Sequence, residues 1–286
     1  MKITVQDFTG VYDYQPFMQE LRTAAETSKN ICWLDCTKIV GTDCYCDDEA
    51  VKTINEMIDE AENRGRTENN CIIKNRDNST NVPAIHFFDN GNYHYMSKLW
   101  TDRVQEPFTL IVFDHHPDMQ PPRFGGILSC GGWVKDALDN NKFIQNVIII
   151  GVKDELVETV REELSQSEEA NILDKVTFIK ESELEFLTSY LKGTQCRPHT
   201  PNLYISIDKD ALSPAYAATN WDQGSLTLNA LKECITTLAA GRKILGIDIC
   251  GERAHDFEGN EHHTVQEADT LNNALNRELV EFLQKI

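Results

Sequence analysis

The sequence predicts an α/β protein, with residues 1–286 forming one three-layer domain in which a mostly parallel sheet of about eight strands lies between helices. Short apolar runs alternate with longer segments whose apolar residues are spaced as on one face of a helix. This alternation is typical of parallel sheets with both faces covered. Three of the runs end in acids, which indicates strands that deliver polar side chains to one edge of the sheet. With 41% hydrophobic residues, and no repeat or linker, the chain can bury a single core.

The first fifth of the chain predicts two strands that alternate with two helices. The strands are predicted within residues 1–8, around Ile3 and Val5, and at the mostly apolar residues 31–36. Helix-like spacing of apolar residues predicts the first helix over residues 14–28. The acids at residues 47–49 suit the start of a second helix, continuing to Ile58, because negative charge is stabilised at a helix N-terminus.

The middle of the chain continues this alternation around two loops. The polar residues 62–81 predict a surface loop or a helix end, and the prolines and glycines of residues 120–126 suit neither a helix interior nor a strand. Strands are predicted at residues 83–88, 110–114, 147–151 and 176–179, and helices at 133–138, 155–169 and 181–190. His86 lies within an apolar run, so we expect a hydrogen-bonded core imidazole there rather than a metal ligand.

The last third of the chain predicts two further strands, at residues 203–208 and 244–250. Residues 213–223 lie between them and predict a loop. Helical spacing is found at residues 228–239 and again at residues 267–283, where it predicts an amphipathic C-terminal helix.

Polar side chains follow three of these strands. They are Asp114, His116 and Asp118 after the first strand, Asp208 and Asp210 after the second, and Asp248 near the end of the third. Residues two positions apart on an extended chain point to the same face, so each set can converge. Ligands of open α/β sheets gather at the carboxyl ends of strands, and the three strands therefore predict one shared site.

These segments resemble the signatures of the arginase/agmatinase, or ureohydrolase, family. Residues 114–118 fit its Asp-x-His-x-Asp motif, and residues 206–210 fit its Ser-x-Asp-x-Asp motif. Residues 224–227, 246–249 and 91–94 are similar to its Gly-Gly-Leu-Thr, Gly-Leu-Asp-Ile and Gly-Gly-Asp-His segments. The resemblance covers roughly residues 83–252 and implies an arginase/deacetylase-like fold.

The resemblance implies six metal ligands, which are His94, Asp114, His116, Asp118, Asp208 and Asp210. One metal would take His94, Asp114, Asp118 and Asp208, and the other would take Asp114, His116, Asp208 and Asp210. Without metal, the four carboxylates would repel one another and some of their pKa values would rise. Two divalent cations would balance the four charges, and an oxygen-rich ligand set suits manganese, so two Mn²⁺ are the expected cofactors.

The family activity implied is manganese-dependent hydrolysis of a linear C–N bond in a small guanidino, formimino or related compound, by a hydroxide that bridges the metals. Asp118, Cys130 and Glu252 are the catalytic candidates. Cys130 stands near the place of the family's proton-shuttling histidine. It is either a substitute acid/base or a small loop residue, and the second is slightly favoured because a neutral thiol is poorly matched to proton transfer. Glu252 is displaced by one residue from the family's guanidinium-binding glutamate, so it either lines the pocket or forms a structural ion pair with a residue such as Arg253.

Several loop residues at the same edge of the sheet have weaker claims to a role. His255, His262 and His263 lie in one polar loop, where a surface position is favoured over a proton shuttle. Arg123 and Trp221 also lie in loops, where they could contact a substrate.

The net charge of −19 excludes nucleic acid and anionic membranes as expected partners, which leaves a small-molecule substrate. Nine cysteines, and the lack of a leader-like N-terminus, indicate a reducing cytoplasm. No apolar stretch approaches the ~20 residues needed to cross a bilayer. Trimers and hexamers are common in the family, so a homo-oligomer stays open.

Two other functions compete with the dinuclear hydrolase. Histone-deacetylase-like enzymes share this fold, so a single-zinc amide deacylase is one alternative, although it would leave His94 and Asp118 without a purpose. The other is a metal-binding family member that has lost catalysis, which the altered Cys130 and Glu252 positions keep open.

Overall fold

The computed structural model describes residues 1–63, 83–122, 125–165, 170–193 and 197–286. The strands are β1 (Ile3–Asp7), β2 (Ile31–Asp35), β3 (Tyr45–Cys46), β4 (Ala84–Phe87), β5 (Phe108–Phe113), β6 (Leu128–Ser129), β7 (Ile144–Val152), β8 (Val176–Lys180), β9 (Asn202–Asp208) and β10 (Lys243–Cys250). The helices are α1 (Pro16–Ala25), α2 (Asp48–Asn63), α3 (Met96–Thr101), α4 (Trp133–Asn140), α5 (Asp154–Ser165), α6 (Leu187–Lys192), α7 (Leu228–Ala239) and α8 (Val265–Leu283).

Eight strands form one sheet in the order β2-β1-β4-β10-β9-β5-β7-β8, and every neighbouring pair is parallel. Helices cover both faces, so the predicted three-layer α/β fold is confirmed. The remaining strands, β3 and β6, form a separate antiparallel pair of two residues each. Such short strands give no periodic signal, which is why the sequence did not predict them.

The central strand β5 shows why the sheet needs helices on both faces. All six of its residues are buried, with Leu110 and Val112 in one apolar cluster and Ile111 and Phe113 in the other. Helices α2, α4 and α5 contribute to the first cluster, and α1, α7 and α8 to the second. Full burial of one such side chain stabilises the fold by about 1.5–3 kcal/mol, so a fully apolar strand is stable only between two layers.

Most predicted elements are found within a few residues of their predicted bounds, and α7 has the predicted bounds. Two predicted helices differ from the structure. The helix predicted at residues 181–190 is a 3-10 turn followed by α6, and α1 begins at Pro16 after a 3-10 turn. Proline fits the first helical turn because its missing N–H needs no partner there. One helix, α3, was not predicted. Of the loop or helix end predicted at residues 62–81, all but the first two residues lie outside the described residues.

His86 is a core imidazole, as predicted. Its Nδ1 lies 2.7 Å from Asp248 Oδ1, and its ring stacks on Trp100 with the ring centroids 3.6 Å apart. The Tyr204 hydroxyl donates to the same carboxylate oxygen at 2.8 Å. A side chain at position 246 would collide with the Tyr204 ring, because a Cβ built on Gly246 lies 2.6 Å from it. Within the described ranges, no helix has the length and apolar character needed to cross a membrane.

Candidate metal centre

The carboxyl ends of neighbouring strands meet at one place in the sheet. β5 leads into Asp114, and β9 ends at Asp208 and continues through a 3-10 turn that contains Asp210. β4 leads into another 3-10 turn, which is followed by His94. These four side chains are at most 3% exposed. Since β4, β10, β9 and β5 are consecutive in the sheet, its topology brings together residues that are far apart in the chain.

Residues 114–118 form a loop, because β5 ends before Asp114. Alternation along a strand, which the sequence suggested as the reason that these side chains meet, is therefore wrong. The backbone N–H of His116 donates to Asp114 Oδ1 at 2.6 Å, and Asp118 has a left-handed backbone with φ 47°. His115 points elsewhere, with Nδ1 3.3 Å from a backbone carbonyl oxygen of β7. The loop, rather than a strand, aims the three ligand candidates.

The first group of candidate ligands surrounds Nδ1 of His94. This nitrogen lies 3.0 Å from Asp114 Oδ2, 3.0 Å from Asp118 Oδ2 and 3.5 Å from Asp208 Oδ2. The other ring nitrogen, Nε2, lies 2.8 Å from the hydroxyl oxygen of Ser206. The Ser206 hydroxyl thus fixes the imidazole through Nε2, while Nδ1 faces three carboxylates.

The second group surrounds Nδ1 of His116. This nitrogen lies 2.9 Å from Asp210 Oδ2 and 3.5 Å from Asp114 Oδ1. Nε2 of the same ring lies 2.9 Å from Asp222 Oδ1. Asp114 therefore belongs to both groups, with one oxygen facing each histidine.

Burial and mutual repulsion shape the electrostatics of the cluster. Burial and the charge of Asp114 raise the pKa of Asp118 to about 7, and burial with the charges of its acidic neighbours raises the pKa of Asp210. Burial would also raise the pKa of Asp114, but its close contacts with the imidazoles of His116 and His94 lower it below its ordinary value. Burial lowers the pKa of His94, and its contacts with Asp114 and Asp118 more than reverse this. In the metal-free chain, these raised pKa values favour protons on Asp118, Asp210 and His94, and such protons reduce the negative charge that bound cations would otherwise balance.

The residues present fit a pair of divalent cations. Asp114 Oδ2 is buried and makes no hydrogen bond of adequate geometry, although His94 Nδ1 is close to it. An unsatisfied buried carboxylate oxygen is costly, and a cation would satisfy it. Three sets of three residues have ligand atoms within 4.8 Å of one another, which are His94 with Asp114 and Asp118, His94 with Asp208 and Cys250, and Asp114 with His116 and Asp210. Carboxylate and imidazole ligands in this proportion suit Mn²⁺.

Cys130 lies close to this cluster, at the start of the 3-10 turn before α4. Its backbone N–H donates to the carbonyl of Cys44 at 2.9 Å. A hydrogen bond with the Cys44 thiol, together with burial and the charge of Asp118, raises the pKa of the Cys130 thiol well above its usual range. Cys130 is therefore protonated at neutral pH, and its acid/base role stays a prediction.

Glu252 is completely buried and is paired with Lys209, which is also completely buried. Its Oε2 accepts from Gln15 Nε2 at 2.8 Å, and its Oε1 accepts from Asn276 Nδ2 at 2.8 Å. The residue before it, Gly251, has φ 90°, and a Cβ there would lie 2.7 Å from the backbone nitrogen of Lys209. These contacts favour the structural ion pair over the pocket-lining role, with Lys209 as its partner.

Trp221, which the sequence singled out, lies beside the cluster with its ring centroid 5.6 Å from that of His116. The other residues that it singled out do not join the cluster or lie outside the described residues. Arg253 pairs with Asp269 through its Nε at 2.6 Å rather than with Glu252. His255 and His262 are exposed, while His263 Nε2 lies 2.7 Å from a backbone carbonyl oxygen. Arg123 lies outside the described residues.

Three contacts to the ligand candidates were not foreseen. Trp133 Nε1 donates to Asp118 Oδ2 at 2.7 Å, and the Cys250 thiol donates to Asp208 Oδ2 at 3.2 Å. The third is the contact between Asp222 and His116. Pairing of Cys250 with Asp208 across adjacent parallel strands was available from the two strand patterns, but Trp133 and Asp222 come from a helix and a loop whose approach carries no sequence signal.

Comparison with known proteins agrees with this arrangement. A family model described as the Arginase family matches residues 29–265. Among curated proteins, an uncharacterised protein of Thermotoga maritima is 28% identical over 169 residues, which are 59% of this chain and 58% of that protein. The chain thus spans less than two thirds of the length of this relative.

Solved structures with this fold include several hydrolases. The agmatine ureohydrolase of Thermoplasma volcanium superposes with a TM-score of 0.60 at 15% identity, over 99% of this chain and 90% of that one. The arginase of Bacillus caldovelox gives 0.56 at 16% identity over 96% and 97%, and the proclavaminate amidino hydrolase of Streptomyces clavuligerus gives 0.57 at 16% over 99% and 92%. At these identities the similarity shows a shared fold.

Proposed function

Because this chain belongs to the arginase family, we propose that it is a manganese-dependent hydrolase that cleaves a linear C–N bond in a small guanidino, formimino or related compound. One observation carries the proposal. Two groups of ligand atoms, each with one histidine, share Asp114, which is the arrangement that two neighbouring divalent cations require.

The distances support a ligand assignment for each cation. His94, Asp114, Asp118 and Asp208 would hold one cation, because the three carboxylates lie within 3.5 Å of His94 Nδ1. Asp114, His116 and Asp210 would hold the other. Asp210 is positioned for this by the His115 backbone N–H, which donates to its Oδ1 at 3.0 Å. That Asp208 would be a second shared ligand is implied by the family resemblance and not by these distances.

The chain's own residues would orient the reaction and exclude water from it. Bound cations would supply Lewis acidity and activate a water molecule. Asp114, Asp208 and Asp210 are at most 3% exposed, which keeps bulk solvent away from the charges and strengthens their interactions. His116 is the most exposed of the six ligand candidates, with 20% of its side chain accessible, so a substrate would approach from its side. Trp133, which is buried on α4, holds Asp118 by a hydrogen bond from its indole N–H.

A mononuclear site is disfavoured by the same geometry. A single cation at His116 would use Asp114 and Asp210, and the cluster in which His94 Nδ1 faces Asp118 and Asp208 would then have no role in metal binding. Loss of catalysis is the alternative that Glu252 supports, since its pairing with Lys209 removes one negative group from substrate binding. We further propose that the enzyme is cytoplasmic and forms one domain.

Metal content and product release together test this function. Protein purified with Mn²⁺ should contain two ions per chain and should release urea, formamide or ammonia from at least one compound in a guanidino and formimino panel. Asp114→Asn removes the shared charge and should lose both metal and turnover. Asp154→Asn makes the same change at the start of α5, outside the cluster, and should keep both.

Each contrary result has a defined meaning. Two ions in Asp114→Asn would refute the shared ligand. One zinc per chain with amide hydrolysis would establish the deacylase, and two ions without turnover on the whole panel would favour a family member that has lost catalysis.

A further inference from the structure

Residues 219–224 form a loop that follows the ligand candidate Asp210 and returns across the side of the site where His116 lies. We propose that Asp222, on this loop, is a positioning residue that orients His116 and fixes its tautomer for metal binding. The inference rests on the proposed function, because it assigns His116 Nδ1 to a cation.

The contact between the two side chains is direct. Asp222 Oδ1 lies 2.9 Å from His116 Nε2, and Lys153 Nζ donates to the other carboxylate oxygen, Oδ2, at 2.9 Å. The carboxylate is thus held at both oxygens, with one aimed at the imidazole. Trp221 packs against the same ring, with the two ring centroids 5.6 Å apart and the planes at 66°.

Both ring nitrogens of His116 face carboxylates, so a bound cation would decide which nitrogen carries the hydrogen. A neutral imidazole has one N–H and one lone pair. A cation held with Asp210 and Asp114 would take the lone pair of Nδ1, the nitrogen that faces both of them. The hydrogen would then lie on Nε2, which would donate it to Asp222 Oδ1. A carboxylate in this position also increases the basicity of the ligating nitrogen.

The loop that carries Asp222 is held against the ligand segments at both ends. Asn220 Nδ2 and Trp221 Nε1 donate to Asn92 Oδ1 at 2.7 and 3.0 Å, two residues before His94. At the other end, the Gly224 backbone N–H donates to the Asp210 carbonyl at 2.7 Å. Asp222 therefore reaches His116 from a fixed backbone, although its own side chain is 55% accessible.

The two histidines are supported differently. His94 Nε2 has a neutral partner, the hydroxyl of Ser206 at 2.8 Å, which in turn lies 2.8 Å from the Ser97 hydroxyl. His116 Nε2 has an anionic partner. Asp222 Oδ2 also lies 3.8 Å from Nε2 of His115, which is not a ligand candidate. Of the two ligand groups, Asp222 contacts the one that contains His116, so its loss should weaken one cation site and leave the other unchanged.

Titration of metal-free protein with Mn²⁺, followed by the spectroscopic signal of the free ion, tests this. Asp222→Ala should raise the dissociation constant of one site by about 10- to 100-fold, the usual effect of removing a partner of a metal-ligating histidine, and leave the other site unchanged. The site affected should be the one that His116→Ala removes. Asp222→Asn keeps an acceptor oxygen and should restore part of the affinity. Glu155→Ala removes a nearby exposed carboxylate, so it controls for the change in net charge and should bind both ions as the wild type does.

Three results would overturn the inference. They are wild-type affinity at both sites in Asp222→Ala, an equal loss at both sites, and the same loss in Glu155→Ala. Failure of the proposed function has another signature, which is a wild type that binds fewer than two ions. If Asp222→Ala weakens the binding of that single ion, the positioning role of Asp222 holds without the proposed function. If it does not, the positioning role and the proposed function both fail.

Discussion

The buried pair formed by Glu252 and Lys209 gives the sharpest test of what Glu252 does. Glu252→Gln keeps the shape of the side chain and removes its charge, which leaves the Lys209 ammonium buried without an ionic partner. If Glu252 is structural, the variant should lose stability and keep its affinity for substrate. If it binds the substrate, the variant should do the reverse.

The expected loss of stability can be estimated from the burial. Both side chains are fully inaccessible, and removing one member of such a pair costs about 3–5 kcal/mol. Unfolding entropies of about 2.1 cal/mol/K per residue give about 0.6 kcal/mol/K for 286 residues, so Tm should fall by about 5–8 °C. Lys209→Met should cost less, because Gln15 and Asn276 still donate to Glu252.

Calorimetry and steady-state kinetics on the same preparations provide the readout. The double variant Lys209→Met, Glu252→Gln removes both charges, and we expect it to be more stable than the sum of the single losses predicts. The structural reasoning would be refuted by a Glu252→Gln protein that melts with the wild type while its KM rises.

Two further predictions concern ionisation near the metal centre. Cys130→Ser should leave the pH dependence of turnover unchanged, because the raised pKa of the Cys130 thiol keeps the thiol neutral. Loss of one limb of the pH–rate profile in this variant would instead establish Cys130 as an acid or base in the reaction. Burial raises the pKa of both Asp118 and Asp89 to about 7 from an ordinary value of 3.8, so the folded metal-free protein binds more protons than the unfolded chain between these values. Its stability should therefore fall as pH rises through that window, seen as a lower urea midpoint at pH near 7 than near 5, and a midpoint that rises instead would contradict this sign.

The strands and most helices were predictable because buried parallel strands are nearly continuous apolar runs. β5, β7 and β9 are largely such runs, but the order in which the strands pair was not predicted. The short elements were not predictable. α3, with six residues, and the pair β3 and β6 are too brief to show a period, and tertiary contacts decide whether they form.

The ligand candidates were predictable as a set, but the reason for their convergence was not. Asp114 and Asp208 follow directly from the ends of paired strands. The position of the Asp118 side chain depends on a left-handed backbone at φ 47°. A non-glycine residue rarely adopts this conformation, and no sequence pattern predicts it. Asp222 depends on a loop that returns to the site 106 residues after His116. Spacing identifies residues that lie near each other in sequence, and it says nothing of a loop's path.

Glu252 shows how one residue can change the chemistry of a strand end. Gly251 has φ 90°, a conformation available to glycine, and it separates Cys250, whose thiol faces Asp208, from Glu252, whose carboxylate faces Lys209. The backbone after the glycine stays in the sheet, since the Glu252 N–H donates to the Asp89 carbonyl at 3.1 Å. The thiol of Cys250 thus faces the candidate ligands, and the negative charge of Glu252 is neutralised in the interior by Lys209. The ammonium of Lys209 already balances that charge, so under the proposed function a substrate cation would gain little from Glu252. We therefore propose that any selectivity between guanidino and formimino compounds would come from residues on the loops around His116.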